Sequence, residues 1–166
     1  LGGFASNGST GRWAIARYGP RGVLDKTWGK DGRVTVDLSP SDESIRDLLF
    51  IPGGKLVGVG YAENGLIPRF AVAQFRPKGT LDPDFGDGVH AGWVQVPAPQ
   101  GASGYAVAAD PQGRVLVGSF ESEQDTTYVV VRRFLPSGAL DATFGSSGHV
   151  TVTQSPAENT RMRLAL

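Results

Sequence analysis

Three aspartates recur in one setting: Asp25 in "GVLDKTWG", Asp82 in "GTLDPDFG" and Asp141 in "GALDATFG". Carboxylates in a glycine-rich loop suit a hard cation, which requires several oxygen ligands to converge. The first copy offers Asp25 and Asp31, the second Asp82, Asp84 and Asp87, and the third only Asp141, followed by Ser146 and Ser147. The ligand set thins out while the Leu-Asp frame, with its aromatic residue and glycine, persists. The stretch therefore reads as a structural turn, in which the carboxylate accepts nearby backbone N–H groups and the ring plugs a gap. Calcium at Asp25 and Asp31 is the alternative; otherwise neither a metal nor another cofactor is expected.

Other chemistry-bearing residues are isolated. His90 and His149 stand near equivalent strand starts and have no neighbour in a zinc-type spacing. Ser103 precedes a glycine but lacks the nucleophile elbow of a serine hydrolase. Glu121, Glu123 and Asp125 read as a solvated hairpin loop that could serve as an acidic docking surface, and Asp42-Glu43 reads the same way. Arg132-Arg133 is no nucleic-acid signal, because adjacent strand residues point to opposite faces. Trp13 and Trp93 have no tryptophan counterpart in the other copies, so each is a candidate for protein or glycan contact through a broad apolar face, with buried packing as the favoured role.

The elements that position these residues are repeats. Residues 13–29, 70–86 and 129–145 align without a gap at spacings of 57 and 59 residues. Gly22, Gly79 and Gly138 coincide, as do Asp25, Asp82 and Asp141; the aromatics Trp28, Phe85 and Phe144; and Gly29, Gly86 and Gly145. The aspartates and glycines are assigned to the turn, the three aromatics to packing between units. A second shared block spans residues 44–63 and 104–123, in which Gly54 matches Gly113 and Lys55 matches Arg114.

Each unit predicts four short strands, near 45–51, 55–62, 69–76 and 89–96 in one copy and 105–109, 114–121, 128–135 and 149–153 in the next. "RVTVDL" at 33–38 alternates polar and apolar residues at the period of a sheet. No segment sustains a helical period. A four-stranded unit with two apolar faces must stack on copies of itself, and radial stacking of such sheets is a β-propeller. The fold class is thus all-β, with propeller blades of four antiparallel strands and three blade-equivalents in the chain. The division expected is a partial blade over 1–43 (strands 2–4), full blades over 44–103 and 104–160, and the first strand of a further or shared blade over 161–166. Three blades do not close comfortably, so the chain is expected to be part of a larger propeller or to be completed by oligomerisation, two chains giving six blades.

The pattern Ala16-Arg17-Tyr18, Gly22, Leu24-Asp25, Thr27-Trp28-Gly29 and Gly32-Arg33-Val34 resembles the delta-60 repeat family, in three copies covering nearly the whole chain. The second copy departs from it at Gln74, where the others have arginine, and in the spacing of "FGDGVHAGW". The resemblance implies propeller blades in a bacterial extracellular or surface protein, and no common catalytic role.

Composition narrows the partners. Sixteen basic residues balance sixteen acidic ones, so no net field favours nucleic acid. There is no cysteine, which excludes disulfides and a thiol nucleophile. No run of apolar residues is long enough for a membrane helix. The chain begins at Leu1 without a methionine or signal-peptide pattern, the mark of a processed or excised segment. The function expected is a noncatalytic scaffold or binding module contacting protein or glycan, with self-association or the remainder of a longer repeat chain as further partners. The alternative is an enzyme acting on glycans, a hydrolase or lyase with residues at the propeller channel.

Overall fold

A computed structural model describes residues 1–6, 8–65, 67–96, 101–123, 126–153 and 162–165. Among the described residues, eleven strands form three antiparallel sheets. The first holds β1 (Gly2–Ser6), β2 (Gly11–Ala16) and β3 (Arg33–Val36). The second holds β4 (Glu43–Ile51), β5 (Lys55–Asn64), β6 (Ile67–Phe75) and β7 (Trp93–Val96). The third holds β8 (Ala102–Ala109), β9 (Val115–Glu123), β10 (Thr126–Phe134) and β11 (His149–Thr153). Strands follow one another across each sheet in chain order, the up-and-down meander expected of a propeller blade.

The period-2 pattern of each strand decides how the sheets stack. In β6, Phe70 and Val72 point to one side and Ala71, Ala73 and Phe75 to the other, and all five are fully buried. The side bearing Ala71 and Ala73 packs against Trp13 and Ile15 of the first sheet and against Trp28 of the turn between β2 and β3. The side bearing Phe70 and Val72 packs against Val107, Val117 and Phe134 of the third. The middle sheet is therefore buried on both faces, with small residues receiving the large side chains of the sheet before it. Gly58 lies beneath the Trp13 ring, where a Cβ would crowd it.

The first strands of the two full units, the inner strands, run side by side: β4 contacts β8, and it also contacts β1 of the first sheet. The Asp47 carboxylate on β4 accepts the Val107 amide of β8 at 3.0 Å, tying two inner strands together. Both inner strands carry a β-bulge at the same place, around Arg46 between Ile45 and Asp47 and around Tyr105 between Gly104 and Ala106. The Pro52-Gly53-Gly54 turn between β4 and β5 is a single 3-10 turn with Gly53 at φ 80°, a conformation that favours glycine.

The fourth strand of the second unit begins at Trp93 rather than near residue 89. The Asp87 carboxylate accepts the amides of Val89 and His90 at 2.9 and 2.7 Å, folding "DGVHAG" into a turn that leaves Val89 exposed. This irregular link follows from the altered spacing after Phe85. Residues 162–165 carry no strand, and the Met162 side chain lies against Gly118 of β9; Arg161 and Leu166 fall outside the described residues. Among the described residues no helix is long and apolar enough to cross a membrane.

Candidate functional site

The repeated turn leaves the third strand of each unit and returns as the fourth. Its backbone is the same three times. The amides of Asp25, Asp82 and Asp141 donate to the carbonyls of Arg17, Gln74 and Arg133 at 2.8–2.9 Å. The amides of Trp28, Phe85 and Phe144 donate back to the carbonyls of Asp25, Asp82 and Asp141. The turn thus closes on itself before any side chain is counted.

The side chains then fix the carboxylates. Asp25 Oδ1 accepts the amide and hydroxyl of Thr27 at 3.0 and 2.6 Å, while Oδ2 pairs with the Arg17 guanidinium at 2.8 Å. Asp141 repeats this with Thr143 at 3.1 and 2.6 Å and Arg133 at 2.8 Å. Each arginine also lies over the turn aromatic, 5.4 Å from the Trp28 ring and 4.7 Å from that of Phe144. The Thr27 bonds first, then Arg17, hold the Asp25 carboxyl below the usual range, and the Thr143 bonds and Arg133 do the same for Asp141.

Asp82 is the most deeply buried of the three, with Asp141 buried and Asp25 half-buried, and Gln74 occupies the place of the strand arginine. Gln74 Nε2 donates to it at 3.0 Å, Lys55 Nζ pairs with it at 2.7 Å and Arg76 Nε lies 3.2 Å away. Burial works to raise its pKa. The bonds from Lys55, Gln74 and the Asp84 amide, with the Lys55 charge, outweigh burial and pull it down to about 2. The cation lost at Gln74 is therefore supplied by the neighbouring strand and by the turn itself. In the third unit the equivalent of Lys55, Arg114, instead binds Asp110.

The turn also joins one sheet to the next. The Gly29 amide donates to the Lys78 carbonyl at 3.0 Å and the Gly86 amide to the Ser137 carbonyl at 2.9 Å. Gly79 and Gly138 follow those carbonyls with φ of 91° and 89°. A Cβ on Gly79 would collide with the Trp28 ring, and one on Gly138 with the Gly86 backbone. Trp28 and Phe85, each followed by a joined glycine, are buried, whereas Phe144 is only half-buried and Gly22 has open space around it.

Asp31 and Ser147 occupy the same left-handed position of their turns, φ 51° and 52°. Asp31 is thus placed where the third copy carries an uncharged serine, and the Asp25 oxygens accept from Thr27 and Arg17. Among the described residues no three of His, Asp or Glu group as a metal site.

Of the two roles weighed for the tryptophans, buried packing is the one found, and solvent-facing contact is not. Trp13 is fully buried, its indole N–H donating to the Tyr61 carbonyl at 3.0 Å, and Trp93 is 9% exposed against the His90 ring. Neither offers a face to solvent, because the neighbouring sheet covers the first and the 87–90 turn folds over the second. Glu121 is not a solvated loop residue: it pairs with Arg132, Nη2 to Oε2 at 3.0 Å, and accepts the Ser119 hydroxyl at 2.8 Å. Glu123 is exposed at the end of β9, and Asp125 lies outside the described residues. Arg132 and Arg133 do point apart, to Glu121 and Asp141. His90 Nδ1 meets Asp87 at 2.7 Å, and His149 sits half-buried at the start of β11.

Two features depart from the sequence reading, the first being Glu43, which is no solvated loop residue. Glu43 is buried and its carboxylate takes the amides of Trp13 and Leu38, at 3.2 and 2.9 Å, clamping the first sheet to the second. Burial raises its pKa against the opposing pull of those bonds. Asp42 similarly accepts the Gly11 amide at 2.7 Å. The second feature is a row of rings on one side of the stack. Tyr61, Phe120 and the exposed Phe4 occupy one position in three units. Arg46 lies 5.3 Å from the Tyr61 ring and 5.7 Å from that of Tyr105, which meets Phe120 edge-on at 5.1 Å. The available signal was the repeat alignment, which sets Arg46 opposite Tyr105 at a one-residue irregularity.

Residues 52–85 and 111–144 each match the model of a family described as a domain of unknown function (DUF5122) beta-propeller. Each match runs from the turn before the second strand to the aromatic residue of the repeated turn. No match is found among curated proteins. Joined to the three meander sheets and their common turn, the matches identify the chain as one built of β-propeller-type repeats.

Proposed function

We propose that this chain is a noncatalytic propeller scaffold whose stacked sheets display a recognition surface for a glycan or protein partner. The observation that carries the reading is the commitment of the repeated carboxylates. Asp25, Asp82 and Asp141 all spend their oxygens on their own turn and on a strand cation, as an architectural part would in every unit. A catalytic acid would differ from its copies and face a cleft. The resemblance to the delta-60 repeats adds a bacterial cell surface as the setting.

The surface favoured for contact is the row Phe4, Arg46, Tyr61, Tyr105 and Phe120. Arg46 and Tyr105 are exposed on the inner strands β4 and β8, and flat rings beside a guanidinium suit sugar faces and carboxylate groups alike. The test is binding of the labelled protein to an array of bacterial-surface oligosaccharides. Arg46→Ala and Tyr105→Ala should each weaken the bound signal by at least tenfold. Binding indifferent to both, or glycan turnover that depends on particular side chains, would overturn the reading.

A further inference from the structure

The Arg46 guanidinium lies between two tyrosine rings, and we propose that it binds the carboxylate of an acidic glycan built on uronic acids, with Tyr105 as the platform for the sugar. The proposal rests on the reading of this row as a glycan surface and names the class of glycan. Arg46 and Tyr61 belong to the second sheet and Tyr105 to the third. The site therefore bridges the seam between two units that the chain itself joins.

The backbone builds it. Both inner strands skip one residue of register, at Arg46 between Ile45 and Asp47 and at Tyr105 between Gly104 and Ala106. A bulge re-aims the side chain that it carries, and here two aligned positions meet across the seam. Arg46 Cζ lies 5.3 Å from the centroid of the Tyr61 ring and 5.7 Å from that of Tyr105. The Tyr105 ring is set in turn by its edge-on contact with Phe120 at 5.1 Å. The guanidinium is thus oriented before a ligand arrives, which lowers the ordering cost of binding.

What Arg46 lacks is an anion. Asp47, its neighbour in the chain, gives its oxygens to the Leu48 and Val107 amides at 2.9 and 3.0 Å. Among the described residues no carboxylate lies within ion-pair distance of Arg46. Its side chain is exposed, and its planar fork matches a carboxylate with two parallel hydrogen bonds. The surrounding charge selects among anions. Asp42 and Glu63 lie close enough to Tyr61 to act on its hydroxyl. One free guanidinium with two acids in the neighbourhood suits a single carboxylate, whereas a phosphate dianion or a polysulfate would meet more repulsion than that one cation offsets. Tyr105, 36% exposed, supplies the flat apolar face on which the C–H groups of a pyranose stack.

Calorimetric titration of the chain with oligosaccharides of galacturonate, glucuronate and mannuronate, each beside its methyl ester, tests the proposal. At least one acid should bind, and its ester, which keeps the sugar and loses the charge, should bind about tenfold more weakly or worse. Arg46→Ala should abolish that preference for the acid. Tyr105→Ala should instead weaken acid and ester by similar factors, and both variants should keep the circular-dichroism spectrum of the unaltered chain. Equal binding of acid and ester, with both lost in Tyr105→Ala, would overturn the carboxylate assignment and leave the glycan surface standing. A preference for the acid that survives Arg46→Ala would also overturn it. Binding of neither form would overturn the assignment and the glycan surface together.

Discussion

Asp82 holds a negative charge in a place that water does not reach, and three side chains share the work of keeping it there. Because its pKa is depressed from 3.8 to about 2, its contribution is present above pH 3.8 and is lost as pH falls toward 2, a difference of about 2 kcal/mol. Lys55→Met should therefore lower stability at neutral pH by about 1–2 kcal/mol and flatten the acid limb of a urea-denaturation profile. Adding Gln74→Arg, which restores the strand arginine of the other copies, should recover at least half of that loss. Failure of the second change to help would mean that Asp82 is held by packing rather than by charge. Glu43 behaves in the opposite sense. Its pKa is raised by burial, so protonation is easier in the folded state and its contribution to stability grows as pH falls through that raised value. Replacing it with alanine should cost about 1–3 kcal/mol by leaving the Trp13 and Leu38 amides unpaired. Asp82 was legible in the sequence because its frame repeats. Glu43 was not, since its equivalent is Ala102 and nothing local marks a carboxylate that bonds across sheets.

The turn is the element that converts a sequence repeat into a stacked structure. Trp28→Ala should cost about 3–5 kcal/mol, the range for a buried ring, and Phe144→Ala less than half as much, because the half-buried ring lacks the neighbour that covers Trp28. A loss below about 1 kcal/mol for Trp28→Ala, read from chemical denaturation, would mean that the ring does not join the sheets. The glycines should separate likewise. Gly138→Ala meets backbone at Gly86, whereas Gly22→Ala adds only the strain of a positive φ, about 1 kcal/mol. Strand positions were readable from alternation and from Pro-Gly turns, and most boundaries lie within two or three residues of the expected ones. The exception was the start of β7, where Asp87 caps a turn that period-2 patterning does not encode. The aromatic row escaped for a related reason: the bulges at Arg46 and Tyr105 redirect one side chain per inner strand, and a bulge has no composition of its own.

At the scale of the whole molecule, three sheets share two cores, and each core is made by facing sheets rather than by either sheet alone. Repetition made this stacking legible. The burial of Trp13 and Trp93 followed from it only once the facing residues were known, since the same ring is a contact surface on an end sheet and a core residue between two sheets. The claim on which the rest depends is that the repeated turn fastens neighbouring sheets through the Gly29 and Gly86 amides. Hydrogen exchange resolved at those two residues measures it directly. Stacked blades joined by the turn predict that both amides exchange as slowly as those in the centre of β5 and β6. Exchange of both at the rate of an open loop, while the strand amides remain protected, would contradict it.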